Sequence, residues 1–413
     1  MIRAGTFPPA SILTPMSATP HVKQPPHPLL RPHGGPEARV SNTELFFDLV
    51  YVFAVTQLSH LLLDDLSLQG ALQTLLLWFA VWLGWQYTCW VTNWFDPDTP
   101  PLRLLLFALM LAALLMAVAI PDAFGQHAML FAVCFVLVQS GRNAAVLVML
   151  GGHALAANWR RILGWSVIAG CFWIAGALAS GPARLGLWAA AVACEYFSPM
   201  FGFALPGLGR SKTTDWTIHG AHLAERCQLF VIVALGESIL VTGATAGREA
   251  HWALSLQIAF AVAFAGSLAM WWIYFDTGSG DGSHAIEHSA DPGRLGAYFH
   301  YVHVIIVAGI IVCAVADDLS IAHPDAHAKP AYAAVLVGGP ALYLLGNALF
   351  KRAVYGRLPL SHLVGLLGLA ALGSLAFLTD VLMVAGLTTL LLIAVAAWET
   401  RSRRGSGRHG DVD

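Results

Sequence analysis

The chain has 413 residues, 57% hydrophobic and 11% charged, with a mean hydropathy of +0.66 and a net charge of −2. A soluble domain carries about 25% charged residues, so this composition belongs to a polytopic membrane protein. With no basic face, it excludes nucleic acid as a partner.

Residues 1–40 hold nine prolines and no long apolar run. A secretory signal peptide needs a basic start and a compact apolar core, so this stretch reads as a disordered, Pro-rich N-terminal extension. A membrane helix needs about 20 predominantly apolar residues. Twelve stretches qualify: 43–63, 71–94, 102–120, 127–150, 160–180, 184–205, 219–245, 253–275, 295–316, 331–350, 360–379 and 381–399. Turn residues punctuate the connections, as at Asp96-Pro97, Gly181-Pro182 and Asp291-Pro292-Gly293. With both ends cytoplasmic, 17 Lys and Arg fall on the inner side and 3 (Arg184, Arg248, Lys329) on the outer, with Arg142 and Arg226 inside helices. That bias is the one expected of a cytoplasmic face. Merging the last two spans would send four arginines outside, so twelve is the better count.

The expected fold is an all-α polytopic membrane protein built as two parallel six-helix repeats. The halves are 41–205 and 219–400, joined by a cytoplasmic linker at 206–218 and followed by a basic tail at 401–413. Trp94-Phe95-Asp96 closes the second span and Tyr274-Phe275-Asp276 the eighth, 180 residues later, while Glu44 and Glu225 stand 181 apart. Asn143 has a counterpart in Asn347. Chance aromatic-plus-aspartate endings at membrane interfaces are the alternative. Parallel repeats are common in secondary transporters, with the substrate site between halves.

Ionisable groups inside membrane helices are costly and read by default as an ion or substrate path. Glu44 opens the first span; Ser41-x-x-Glu44 also fits a capping box, which explains it without function. Asp48 lies one turn deeper between Phe47 and Leu49, past the last free N–H, and needs a proton or a cation beside it. On the seventh span His222 and Arg226 share a face, and Glu225 lies beside them. Glu237, eleven residues beyond Arg226 and about three turns on, points the same way. It is the leading candidate for an internal acid that binds a cation or relays a proton; a helix–helix hydrogen bond is the bland reading. Arg226 needs a carboxylate, with Asp48, Glu44 and Glu195 available. Arg142 and Glu195 read as a structural ion pair. His300 and His303, three apart, could share a metal, but no third ligand stands at usable spacing, so a hydrogen-bonding or pH-sensitive role is preferred. Trp78, Trp82, Trp85 and Trp90 line one face of the second span, for packing or as a cavity wall.

Six cysteines (Cys89, Cys134, Cys171, Cys194, Cys227, Cys313) lie in apolar runs without CxxC spacing, which points to packing residues rather than a zinc site or a disulfide framework. No HExxH, GxSxG or GxxxxGK[ST] is present. The expectation is therefore a protein that is not an enzyme and has no cofactor and no metal.

Glu44-Leu-Phe-Phe-Asp-Leu-Val50 resembles the opening signature of the bacterial low-temperature-requirement A (LtrA) family. Thr214-Asp-Trp-Thr217, His222-Leu-Ala-Glu-Arg226 and Leu235-Gly-Glu-Ser-Ile-Leu-Val-Thr-Gly243 resemble its central block. Tyr301-Val-His303 and Leu342-Tyr-Leu-Leu-Gly346 are similar to later motifs, and the resemblance spans roughly 41 to 400. It implies a multi-pass bacterial inner-membrane protein and makes Glu44, Asp48, His222, Glu225, Arg226, Glu237 and His303 the motif polar residues. His219 and Asn347 depart from the family pattern. The leading functional expectation is an ion- or proton-coupled secondary transporter of a small solute, embedded in the lipid bilayer. A non-transporting sensor or scaffold associated with cold growth is the alternative, and a cation or proton channel a weaker one.

Overall fold

The computed structural model describes residues 27–31, 39–212, 218–248, 251–276, 281–282, 285–286, 289 and 291–407. Twelve long helices run through them: α1 Asn42–Asp64, α2 Leu68–Trp94, α3 Pro100–Ala119, α4 Ala128–Leu150, α5 Ala156–Leu178, α6 Gly181–Phe197, α7 Gly220–Arg248, α8 Leu254–Phe275, α9 Pro292–Ala322, α10 Pro330–Tyr355, α11 Leu360–Leu375 and α12 Val381–Gly407. Eleven are long and apolar enough to cross a membrane. The twelfth, α6, has 17 residues and is continued by a 3₁₀ turn over Ser198–Phe201. Among the described residues the only β pairing is three isolated bridges.

Local sequence sets the helix ends. Ser41 and Glu44 form the expected capping box at α1, and the Ser67 hydroxyl accepts the Gly70 N–H at α2. Proline occupies the first turn of α3, α6, α9 and α10, where its missing N–H costs nothing. Gly356 ends α10 at φ 72°, a left-handed position that suits glycine. One helix is irregular: α4 passes through a π turn over Leu137–Gly141, which widens the spiral and re-aims the side chains around it.

Each half has the same order of neighbours. In the first, α1 packs on α2 and α3, α3 on α4, α4 on α5, α5 on α6, and α6 returns to α2. In the second, α7 packs on α8 and α9, α9 on α10, α10 on α11, α11 on α12, and α12 returns to α8. The halves meet where α1 and α2 pack on α7 and α9, and one apolar core runs through this junction from Phe47 and Trp82 to Phe230, Ile306 and Tyr343. Around the outside, large apolar side chains stay uncovered: Leu104 is 68% exposed, Leu240 67% and Leu390 62%. In a bilayer these are solvated by acyl chains, so the core need not enclose them.

Helices α9 and α10 approach most closely. A Cβ on Gly309 would lie 2.5 Å from the Tyr343 backbone nitrogen, and one on Gly346 2.8 Å from that of Ile306. Small residues at such crossings supply the packing that drives helix association in lipid. At 31 residues α9 is about 46 Å long, longer than the hydrocarbon core of about 30 Å.

Two sequence boundaries shift. Residues 27–31, expected within the disordered extension, instead form a turn docked on the end of α2. The Arg31 N–H donates to Trp94 O (2.8 Å) and the Asp96 N–H to Leu29 O (3.0 Å). α12 runs through residues 401–407, where the basic tail was expected to begin. Residues 1–26, 32–38, 408–413 and the motif at 214–217 lie outside the described residues.

Candidate functional site

The residues singled out on α1 and α7 meet at the junction of the halves, near the face that bears the start of α1. Glu44, Asp48, His222 and Arg226 are each fully buried. Arg226 Nη2 donates to Asp48 Oδ1 at 2.6 Å, and its Nη1 lies 3.3 Å from Glu44 Oε1. The expected partner choice for Arg226 is thus Asp48 and Glu44, with Glu195 elsewhere. Glu44 also accepts from Arg31 Nη2 (3.2 Å), from the Ser41 N–H (2.9 Å) and from His222 Nε2 (2.7 Å). Capping and charge pairing therefore both hold for Glu44.

Asn93, on α2, fixes the imidazole. Its Oδ1 accepts the His219 N–H (3.0 Å), which orients the amide so that Nδ2 faces His222 Nδ1 at 3.1 Å. That leaves Nδ1 to accept and Nε2–H to donate to Glu44. Trp85 Nε1–H donates to Asp48 Oδ1 (2.6 Å), and Arg226 lies over the Trp85 ring, 5.9 Å from its centroid. Two carboxylates thus face two guanidinium groups, with Trp85 and His222 donating to the carboxylates and Asn93 holding His222. Such a balanced cluster is a strong lock, because removing one member leaves a buried charge uncompensated.

Three candidates lie outside the centre of this cluster. Glu225 sits at its edge, half-buried, where it accepts the Val40 N–H (3.2 Å) beside the Ser41 N–H taken by Glu44. His303 lies against α8, with Tyr274 Oη at 2.7 Å from its Nε2 and Phe299 O at 2.7 Å from its Nδ1. Glu237 lies about 16 Å further along α7 than Arg226, counting eleven residues. It faces α1 as Arg226 does, accepting a hydrogen bond from Thr56. Two carboxylates of α9 stand on the same half of the bundle: Asp317, 3.5 Å from Ser238 Oγ, and Asp318, which accepts from Thr245. No group of three or more metal-ligating side chains occurs among the described residues.

The pair expected between Arg142 and Glu195 is not a direct contact. Gln139 stands between them: its Nε2 donates to Glu195 Oε2 (2.9 Å) and its Oε1 accepts from Arg142 Nη2 (2.5 Å). The π turn puts Gln139 and Arg142 on one inward face, and Arg142 also donates to Thr88 Oγ1 (3.2 Å). In the second half Lys351 of α10 contacts Glu399 of α12 directly, beside His362 and Ser361. Glu195 and Glu399 are 204 residues apart, as are Asn143 and Asn347.

Beside the charge cluster lies a cavity of about 1000 Å³. The first half contributes the last turns of α2, the start of α5 and the segment after α6; the second contributes the start of α9 and the end of α10. Trp90 and Trp94 form one wall, with ring centroids 5.5 Å apart, and Trp159 meets Trp94 edge-on at 5.9 Å. His300, which lies between Trp85 (5.8 Å) and Trp90 (5.9 Å), connects this wall to the cluster. The other tryptophans of α2 are packing residues, Trp78 donating to Val304 O (3.0 Å). All six cysteines are free, four of them buried.

Sequence reasoning passed over Arg31, Asn93, Gln139, Lys351, Asp317 and Asp318. Only the last two carried a signal, as adjacent acids at the end of an apolar run.

The model of the family described as bacterial low temperature requirement A protein (LtrA) matches residues 39–397. An uncharacterized protein of Rhizobium meliloti (strain 1021) is 38% identical over 380 residues, covering 90% of this chain and 91% of that protein. With the family model matching most of its length, this chain belongs to the bacterial LtrA family of multi-helix membrane proteins.

Proposed function

We propose that the chain is an ion- or proton-coupled secondary transporter of a small solute, bound in the cavity where the two six-helix halves meet. The cavity carries the reading. A space of about 1000 Å³ at the junction of two similar bundles is the site expected of a transporter built from parallel repeats, and it matches the size of small-molecule pockets. The common neighbour order of the halves and the 204-residue spacing of Glu195 to Glu399 support the repeat. Rocking of one half on the other would carry the cavity from one membrane face to the other. The membrane is the bacterial cytoplasmic membrane, with both termini inside, a placement supported by the cationic bias of that face.

In this reading Glu237 is the coupling group. It stands on α7 against Thr56 of α1, across the moving junction, so taking up or losing a cation there acts on the contact between halves. The buried cluster of Arg31, Glu44, Asp48 and Arg226 holds the other end of the same seam closed. The closed charge balance of that cluster also favours a second reading, a non-transporting sensor or scaffold whose ionisable groups are structural.

Solute flux into proteoliposomes, with and without an imposed pH gradient, separates the two. Gradient-driven flux should fall by about tenfold or more in Glu237→Gln. Wild-type flux in that variant removes Glu237 from coupling, and gradient-independent background flux for every solute class tested supports the sensor reading.

A further inference from the structure

We infer that the cavity selects a flat organic anion: an apolar, aromatic-sized body with an acidic group at one end and a hydrogen-bonding group at the other. The inference rests on the reading of this cavity as the solute site and names the chemistry it accepts.

The walls are the first reason. Trp90 turns its ring to the space, with Trp94 and Trp159 packed behind it, and Tyr298 and Tyr301 line the α9 side. Tryptophans near the ends of membrane helices ordinarily anchor at the lipid interface. Trp94 is 5% exposed and Trp159 1%, so these rings are turned into the protein instead. Aromatic walls favour a planar body through offset stacking and edge contacts.

Charge at the mouth is the second. Arg294 and Arg352, both exposed, stand among the lining residues with one carboxylate, Asp291. Asp291 also caps α9, accepting the Arg294 N–H at 3.0 Å. The rim is therefore net positive among the described residues, and a positive rim over a low-dielectric cleft draws in an anion and repels a cation. Arginine suits a carboxylate or phosphate through paired N–H donors.

The inner end supplies the third. Gln86 lines the cavity, is 4% exposed, and its Oε1 meets no hydrogen-bond donor among the described residues. A buried amide left in that state loses free energy. A hydroxyl or amine at the far end of the solute would complete it. The three features thus follow one another from mouth to floor: cations, rings, amide.

The test uses the purified full-length protein in phosphatidylcholine nanodiscs, with binding followed by calorimetry and by quenching of tryptophan fluorescence. Hydroxynaphthoate is the probe; naphthoate, neutral naphthol and naphthylmethylamine are the comparisons. Hydroxynaphthoate should bind saturably, and naphthol and the amine about tenfold or more weaker. Arg294→Gln/Arg352→Gln should weaken hydroxynaphthoate about tenfold and leave naphthol unchanged. Both arginines are exposed, so this variant is not expected to disturb folding. Gln86→Leu should remove the preference for hydroxynaphthoate over naphthoate. Equal binding of anion, neutral and cation, or an unchanged affinity in the double variant, overturns the inference. Displacement of the probe by phosphatidylglycerol as effectively as by naphthoate overturns it too, because the site would then belong to a lipid headgroup. The two readings fail separately. Selective binding without flux keeps the site and removes transport, whereas coupled flux of another solute without selective binding keeps transport and removes this chemistry.

Discussion

Arg226→Met deletes the cation at the centre of the buried cluster. Met has a similar stem length and adds no polar atom, so the change is mainly electrostatic. Asp48 loses its 2.6 Å partner and Glu44 its 3.3 Å one, while both stay fully buried four residues apart on α1. Glu44 keeps Arg31, His222 and the Ser41 N–H; Asp48 keeps only Trp85. Breaking a buried pair from one side costs about 3–5 kcal/mol, and most of that cost here falls on Asp48. Asp48→Asn keeps an oxygen for the Trp85 N–H but leaves Arg226 with Glu44 as its remaining carboxylate, so alone it should also cost about 3–5 kcal/mol. In the double variant the stranded carboxylate is gone, and the loss should fall short of the sum by about 2 kcal/mol or more. Unfolding free energies in mixed micelles, taken for all four proteins, give the coupling directly. Additivity within about 0.5 kcal/mol would mean that the two side chains do not share one energetic unit. Asp98→Asn, at an exposed acid between α2 and α3, combined with Asp48→Asn is the control, and it should be additive.

Three further outcomes follow from named contacts. Gln139→Leu should cost about 2–4 kcal/mol, because it strips a hydrogen bond from each of two buried charges; adding Glu195→Gln should recover part of the loss, and no recovery would count against the Gln139 relay. Gly346→Val should abolish the folded, monodisperse fraction in size-exclusion chromatography, since its Cβ would meet the Ile306 backbone, whereas Gly338→Ala, with nothing within 4 Å, should be silent. Arg31→Ala should cost about 1–2 kcal/mol and expose residues 27–31 to limited proteolysis, and unchanged cleavage would show that the turn is held without Glu44.

The fold was largely legible because membrane helices announce themselves by long apolar runs. What hydropathy does not resolve is how far a helix continues past the hydrocarbon, so α9 and α10 run beyond their expected ends into polar sequence. The same blindness hid Asp317, Asp318 and Lys351, which sit where the runs fade but are still inside the bundle. Within the site, the Asp48–Arg226 pairing could be anticipated because each charge was too deep to stand alone and the expected repeat sets the two spans face to face. The Arg142–Glu195 contact was anticipated wrongly for a physical reason. Opposite charges suggest a pair, but the π turn of α4 inserts Gln139 between them, and nothing in the local composition marks that turn. Arg31 and Asn93 were missed because an arginine in a Pro-rich stretch and an asparagine near an interface both look solvated until the docked turn and α7 are in place. Glu225, beside Arg226 in sequence, reaches the Val40 N–H at the cluster's edge and not Asp48, because neighbours on a helix are 100° apart.

Movement between the halves is most directly read from electron–electron distances. Spin labels on Leu208, after α6, and Leu358, after α10, occupy exposed positions, one in each half, and a cysteine-free background isolates them. In nanodiscs, a rocking transporter gives two distance populations separated by about 5 Å or more, with Glu237→Gln altering their ratio. A single narrow distribution, identical with and without a pH gradient and in the variant, would mean that the halves form one rigid body and that the cavity opens to one side only.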